Sequence, residues 1–450
     1  MFLNVRVKNF KSLSNFEFNL EEKKGKPKNI ALVYGENGSG KTNIVSIFSV
    51  LVETLHSMKI RTVIEDYLEI KDDTSPETFI KMLRSTMPSI ERMIEENKTI
   101  GCHENMVLDF EFSLNGHMGR YFLAFDDKQL VREKLEYLID KQKGILFDIT
   151  SETKKIHPKL VKDKNYLQEI EDNIDKFWGK HTLMSVFIFE LLDKNAAYFE
   201  KNINRNLLDI LLSFALIKSV DSQKNTFHMT STKLNIPLGG DFIEGEISIK
   251  RKHEIHLATQ ILTHIFSGLY SDVKDLYYKI DMLDQSRLKY ELFLKKKIGG
   301  TVRDIPFKLE SSGTKKILTL VSLLFTVMQG DTVIIDEFDS GIHDVMVKEL
   351  FLAIADSLSG QLIITTHNTL LLEEAHIDNK FIYILKVDED GNKSIDSLDK
   401  ENTRVQQNHN RRNQYLKGMY EGVPFVGHID FDYVIDEMTA QSEVGENIYE

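Results

Sequence analysis

Eight consecutive residues constrain this chain more than any other stretch. Gly35-Glu36-Asn37-Gly38-Ser39-Gly40-Lys41-Thr42 follow at once on Asn29 to Tyr34, an apolar and β-branched run. They lead into Asn43 to Met58, where Ile44, Ile47, Phe48, Leu51 and Leu55 recur at helical spacing. The order is strand, glycine loop, helix. A loop of the form G-x-x-x-x-G-K-[ST] in that setting turns backbone N–H groups inward, and the helix behind it offers its positive end to the same space. Such a loop suits a polyphosphate. Asn37, Gly38, Ser39, Gly40 and Asn43 would form the cradle, Lys41 would hold the β and γ phosphates, and the Thr42 hydroxyl would ligate Mg²⁺.

A second informative region begins near residue 310. Thr332 to Ile335 reads as a buried strand that ends in two carboxylates, Asp336 and Glu337. Neighbouring residues on a strand point to opposite sides, so the two need not share one task. At the carboxyl end of a parallel strand Asp336 suits the Mg²⁺ shell and Glu337 can polarise an attacking water. Ser311-Ser312-Gly313-Thr314 precedes an apolar helix at the spacing of a polar N-cap, and its backbone could bind another phosphate. His367 follows the buried strand Gln361 to Thr365, 30 residues beyond Glu337.

Composition sets the outer bounds. At 450 residues the chain exceeds what one core usually organises. Its 42% hydrophobic and 28% charged residues are the balance of a folded globular protein. The single cysteine, Cys102, excludes an internal disulfide and a thiolate-rich metal site, and with no secretory signal or bilayer-length apolar run the expectation is a cytoplasmic protein with no membrane partner. A formal charge of −12 argues against coating nucleic acid by bulk electrostatics, although a local basic groove stays open. The short clusters Lys250 to Lys252, Lys295 to Lys297 and Arg411 to Arg412 read as solvated edges or turns.

Patterning divides the chain into four parts. Residues 1–149 combine the phosphate loop with short strands joined by tight turns, an antiparallel layer. Residues 150–284 are expected to be a mainly helical insertion that projects from the rest and carries specificity for a partner or trigger. Residues 285–400 alternate strand and helix, which implies a largely parallel sheet, and 401–450 form a tail, a possible docking element. The fold class is therefore α/β.

Taken together, these residues resemble the ABC ATPases of the SMC, RecF and OLD group, and most closely the bacterial AAA-type ATP-binding proteins of the abortive-infection kind. The resemblance covers roughly the first 60 residues and 285 to 425. It implies an ABC-type ATPase head, a mixed sheet with an antiparallel layer, that binds ATP and Mg²⁺ and hydrolyses ATP. In that family Gly35 to Thr42 match the phosphate loop, Ser311 to Thr314 the signature loop, and Asp336-Glu337 the acidic pair. Asp339 to Asp344 match the dimer-facing loop and His367 the switch histidine. The signature reads Ser-Ser-Gly where transporters have Ser-Gly-Gly. Lys11, in the opening Val7 to Leu13, matches a basic residue that can approach the nucleotide. Gln142 lies in a plausible region for the Mg²⁺-sensing glutamine, a position left unassigned.

The resemblance implies self-association as an ATP-bridged pair of heads or a higher homo-oligomer. It also implies a switch or sensor role beside a separate effector, a Toprim or HNH nuclease or another toxin, as in the PARIS, abortive-infection and Septu types of antiphage system. The alternative it leaves is a RecF- or SMC-like ATP-dependent DNA clamp in repair. No nuclease constellation accompanies the ATP site. Asp388-Glu389-Asp390-Gly391 reads as a hairpin turn and the pair Arg404 and His409 as chance spacing. The tail segment Asn413 to Tyr420 reads as a helix stopped at Gly418, packed on the head or docking a partner.

Overall fold

The computed structural model describes residues 1–58, 89–193, 196–221, 237–400, 410–422 and 430–435. Arg404 and His409 lie outside these residues. The chain opens with β1 (Phe2–Phe10), β2 (Leu13–Asn19), the small hairpin β3 (Glu21–Lys23) and β4 (Lys26–Pro27), then β5 (Ile30–Tyr34) and α1 (Lys41–Leu55). After α2 (Ile90–Asn97) come β6 (Met106–Leu114), β7 (His117–Phe125), β8 (Leu130–Ile139), β9 (Gln142–Thr150) and β10 (Lys154–Ile156). Four helices follow, α3 (Lys164–Phe177), α4 (Leu183–Asp193), α5 (Ala196–Asn202) and α6 (Arg205–Ala215), then β11 (Lys218–Val220) and β12 (Glu244–Ser248). The chain continues through α7 (His253–Leu269), β13 (Val273–Met282), β14 (Arg287–Ile298), β15 (Thr301–Pro306), α8 (Ser312–Met328), β16 (Thr332–Ile335) and α9 (Asp344–Ala355). It closes with β17 (Gln361–Thr365), β18 (Ile382–Val387), β19 (Lys393–Ser397) and α10 (Arg411–Leu416).

Two large sheets organise these elements. A six-stranded sheet runs β11-β16-β17-β5-β18-β19, parallel except for the β18–β19 hairpin. Its central strands β16, β17 and β5 are buried on both faces, so they read as continuous apolar runs rather than alternating ones. The period-2 geometry divides them between two cores. Ala31, Val33, Ile334, Ile363, Tyr383 and Leu385 join the core that also holds α1, α3, α4, α6 and the inner face of the antiparallel sheet. Ile30, Leu32, Tyr34, Val333, Ile335, Leu362, Ile364, Ile382 and Ile384 join the core that holds α7, α8, α9 and the β13–β14 hairpin.

The antiparallel sheet has seven strands in the order β10-β9-β8-β7-β6-β1-β2. Its strands alternate cleanly, with Phe110, Tyr121, Leu135 and Phe147 inside and a row of charges outside. Outside, Arg120 meets Asp109, Arg132 meets Asp148 and Arg6 meets Glu17 and Glu111. The buried Gln361 side chain stitches the two sheets together, accepting from Phe2 N at 2.7 Å and donating to the Phe2 and Lys28 carbonyls at 2.9 Å each.

The expected projecting insertion, 150–284, is corrected by this arrangement. Helices α3, α4 and α6 pack on the same core as α1, and β11 pairs in parallel with β16 to complete the edge of the six-stranded sheet. The boundary at 284 falls inside the β13–β14 hairpin, whose register runs from Met282 and Leu288 to Val273 and Lys296. The helical pattern was real, but a three-residue strand is too short to register in periodicity.

The tail helix α10 sits on the head. Arg411 donates to the carbonyls of Leu372, Glu374 and Ile377, and Arg412 to Thr369 Oγ1 and Glu373. The Tyr415 ring packs edge-on against Tyr34, at the end of β5, and the helix stops where Gly418 takes φ 74°. No helix among the described residues is long and apolar enough to cross a membrane.

Candidate active site

The phosphate loop leaves the end of β5 and is folded by its glycines. Gly40, immediately before α1, holds φ 109°, a left-handed conformation that strains any side chain. Lys41 is only 7% exposed, and its Nζ donates to the Gly35 and Glu36 carbonyls at 2.7 and 2.8 Å. Burial lowers its pKa, while Asp336, Glu337, Asp339 and Glu36 act in the opposite direction. Ser39 is buried and its Oγ has no hydrogen-bond partner among the described residues. An unanswered buried hydroxyl costs about 1–3 kcal/mol, so the loop is built short of one polar group, which a polar ligand would supply. Gly38 takes φ 82°, Asn37 precedes it, and Thr42, the second residue of α1, is half-buried with its carbonyl accepting from Ser46 Oγ at 2.9 Å.

The acids arrive from the centre of the parallel sheet. Asp336 follows β16 and is 2% exposed; Thr365 Oγ1, at the end of the adjacent β17, donates to its Oδ1 at 2.6 Å and accepts from Glu337 N at 2.8 Å. One threonine therefore fixes both acidic residues. Glu337 holds φ 45°, uncommon for a residue with a side chain, and Lys316 Nζ on α8 donates to its carbonyl at 2.9 Å. Such backbone outliers collect where surrounding structure dictates a side chain's direction. Asp339 accepts from the His367 backbone N–H at 3.0 and 3.3 Å. The His367 imidazole is held below its ordinary pKa, first by desolvation and then by Lys41, which keeps it neutral at pH 7.

Four of the sequence-predicted residues thus converge at one edge of one sheet: Asp336 and Glu337 act electrostatically on Lys41 and on His367. The signature residues lie beside the acidic pair rather than on the phosphate loop. Ser311 is the N-cap of α8, its Oγ accepting from Thr314 N at 3.2 Å, and no hydrogen bond joins Ser311, Ser312 or Gly313 to residues 35–43 among the described residues. Gly313 instead packs against the loop after Glu337, so closely that a Cβ would lie 2.5 Å from the Gly341 carbonyl oxygen. Ser312 and Gly313 share with Lys316, Asp336, Glu337 and Ser340 a cleft of about 850 Å³ that no residue of the phosphate loop lines.

Sequence reasoning missed Thr365, although a hydroxyl closing a strand beside an acidic pair was a usable signal, and it read Asp339 only as part of the dimer-facing loop. Lys11 lies in the β1–β2 turn at φ 48° and its Nζ reaches Ser46 Oγ on α1 at 2.9 Å. Gln142 is exposed at the β8–β9 turn opposite Ile139 and lies in the antiparallel sheet. The segment Asp388 to Gly391 is the β18–β19 turn, with Asp388 Oδ1 accepting from Asp390 N and Asn392 N.

A family model described as "AAA domain, putative AbiEii toxin, Type IV TA system" matches residues 30–373, from the first residue of β5 to beyond His367. The chain belongs to this AAA-domain family. Curated protein sequences give no significant match. Among solved structures, this AAA-domain protein is similar to an SMC head bound to the C-winged helix domain of ScpA, with 13% identity, a TM-score of 0.40, and coverage of 88% of this chain and 97% of that one. It is also similar to the SMC head domain from Thermotoga maritima, with 14% identity, a TM-score of 0.35, and coverage of 88% and 98%.

Proposed function

We propose that this AAA-domain protein is an ABC-type ATPase that acts as a switch, its ATP site closing only when two copies meet. ATP supplies the γ-phosphoryl group for hydrolysis, and Mg²⁺ neutralises charge on its phosphates. Ser39, Gly40 and Lys41 would hold the phosphates, Thr42 and Asp336 the Mg²⁺, Glu337 would take the proton of the attacking water, and neutral His367 would accept a hydrogen bond at the reacting edge. The observation that carries the reading is the split site. Lys41, Asp336, Glu337 and His367 converge, whereas Gly313 packs against Gly341 and, among the described residues, no hydrogen bond joins Ser311, Ser312 or Gly313 to the phosphate loop. A signature loop so placed is available to a second copy.

The physiological reading is a sensor that controls a separate effector, a nuclease or other toxin, in antiphage defence. It is supported by the family and by the hairpin turn at Asp388 to Gly391, where the Asp388 carboxylate accepts from backbone N–H groups of its own turn.

Glu337→Gln tests the core of the proposal. Glutamine keeps size and hydrogen bonding, so ATP binding survives while turnover falls by roughly 10² to 10⁴. The ATP-loaded variant should double its mass by light scattering, because ATP stabilises the closed pair. A variant that hydrolyses ATP at the unsubstituted rate, or whose mass ignores ATP, ends the proposal. Purification from native cells tests the sensor role: a co-eluting effector supports it, and DNA alone favours a clamp.

A further inference from the structure

Lys393 is the first residue of β19, returned to the nucleotide edge by the turn 388–392, where Gly391 takes φ 79°. Because β18 runs parallel to β5, with Ile384 beside Tyr34, this hairpin turns at the same end of the sheet at which β5 releases the phosphate loop. The half-buried Lys393 places its Nζ 2.9 Å from where a Cβ on Gly40 would stand, and donates to Ser12 Oγ at 2.6 Å. Ser12 Oγ also accepts from Asn43 Nδ2 at 2.6 Å. Three residues from β19, the β1–β2 turn and α1 thereby meet over the last glycine of the loop.

The electrostatics of this place are one-sided. Among the described residues Lys393 makes no ion pair, and desolvation alone lowers its pKa. Lys41, one residue beyond Gly40, has Asp336, Glu337, Asp339 and Glu36 to offset its charge; none of these acts on Lys393. The N-terminus of α1 adds the positive end of a 15-residue helix. An ammonium parked there is unfavourable unless an anion shares the space. The buried Ser39 Oγ, without a partner in the same loop, is an independent sign of a missing polar group.

We infer that Lys393 is a second phosphate-binding cation of the nucleotide site, reaching the bound nucleotide from the side of Gly40 and Asn43 and gripping the part that ATP and ADP have in common. The inference rests on the ATP-binding reading above and adds to it. Lys41 and the acids serve the phosphoryl group that leaves, and Lys393 serves the diphosphate that stays.

The test uses the full chain and a fluorescent ADP, alongside a non-hydrolysable ATP analogue. Lys393→Ala should raise Kd for both nucleotides about ten- to a hundredfold and to the same extent, the loss of one charge-assisted hydrogen bond. KM should rise in parallel, and more than kcat falls. Lys393→Arg, which keeps the charge, should recover most of the affinity. Unchanged ADP affinity in Lys393→Ala, while Lys41→Ala loses binding, would overturn the inference and leave the ATP site standing. Equal losses in the Ala and Arg variants would also overturn it, since the lysine would then only brace Ser12. If Lys41→Ala binds nucleotide normally, the ATP site itself is misassigned and this inference falls with it.

Discussion

In the antiparallel sheet Glu133 is completely buried, and every side of its carboxylate is answered. Tyr121 Oη and Met184 N donate to one oxygen at 2.9 and 3.2 Å, and Trp178 Nε1 and Leu183 N to the other at 3.1 and 2.7 Å. At the edge of the parallel sheet the polar groups are left short: among the described residues Ser39 Oγ has no partner and Lys41 Nζ bonds only carbonyls of its own loop, while the half-buried Glu337 sits in a left-handed backbone conformation. Both regions bury charge. One uses it to join β8 to the N-terminus of α4, where a carboxylate is favoured by the helix dipole; the other holds it in reserve for something that is not protein.

That contrast can be broken most directly at Lys41. Lys41→Ala should reduce nucleotide binding and turnover to background while the nucleotide-free melting temperature hardly moves, because its bonds support only the loop. A calorimetric scan with ATP titration checks both halves. A variant that unfolds instead would make Lys41 structural and erase the distinction.

Glu133→Ala should do the reverse. Four donors lose their acceptor, and the expected cost is about 3 kcal/mol or more, read as a lower urea midpoint. Nucleotide affinity of the folded fraction should be unaffected. An equal loss of ATP affinity would join the two sheets into one functional unit.

The smallest expected effect is a pH dependence that belongs to Glu133. Burial raises its pKa to about 7 against the four donors that favour the charge. Between the ordinary value of 4.5 and about 7 the folded chain holds a proton that the unfolded chain has released, so stability falls as pH rises through this window. From pH 5 to 7 the loss is about 2 kcal/mol, and it should vanish from the Glu133→Ala variant. Urea titrations of both proteins at the two pH values decide it.

The same contrast explains what was legible beforehand. The phosphate loop, Asp336-Glu337 and His367 could be read because each is local: a glycine loop between strand and helix, or a polar residue closing an apolar strand. Even the Asp388 turn was visible, as Asp-Gly between two strands. Glu133 was unreadable, since a glutamate on an alternating strand looks like any solvated charge until Trp178 and α4 are laid on it.

By itself, then, the sequence determined the α/β class and the four residues that meet at the sheet edge. Their spacings reflect backbone geometry within a few residues, which chain order encodes directly. Tertiary structure alone decided that residues 218–220 would be an edge strand of the nucleotide sheet rather than part of a projecting arm, that Gly313 would pack against Gly341, and that Lys393 would stand over Gly40. Those juxtapositions come from β-pairing and packing between segments tens to hundreds of residues apart, and no local period or propensity carries that information.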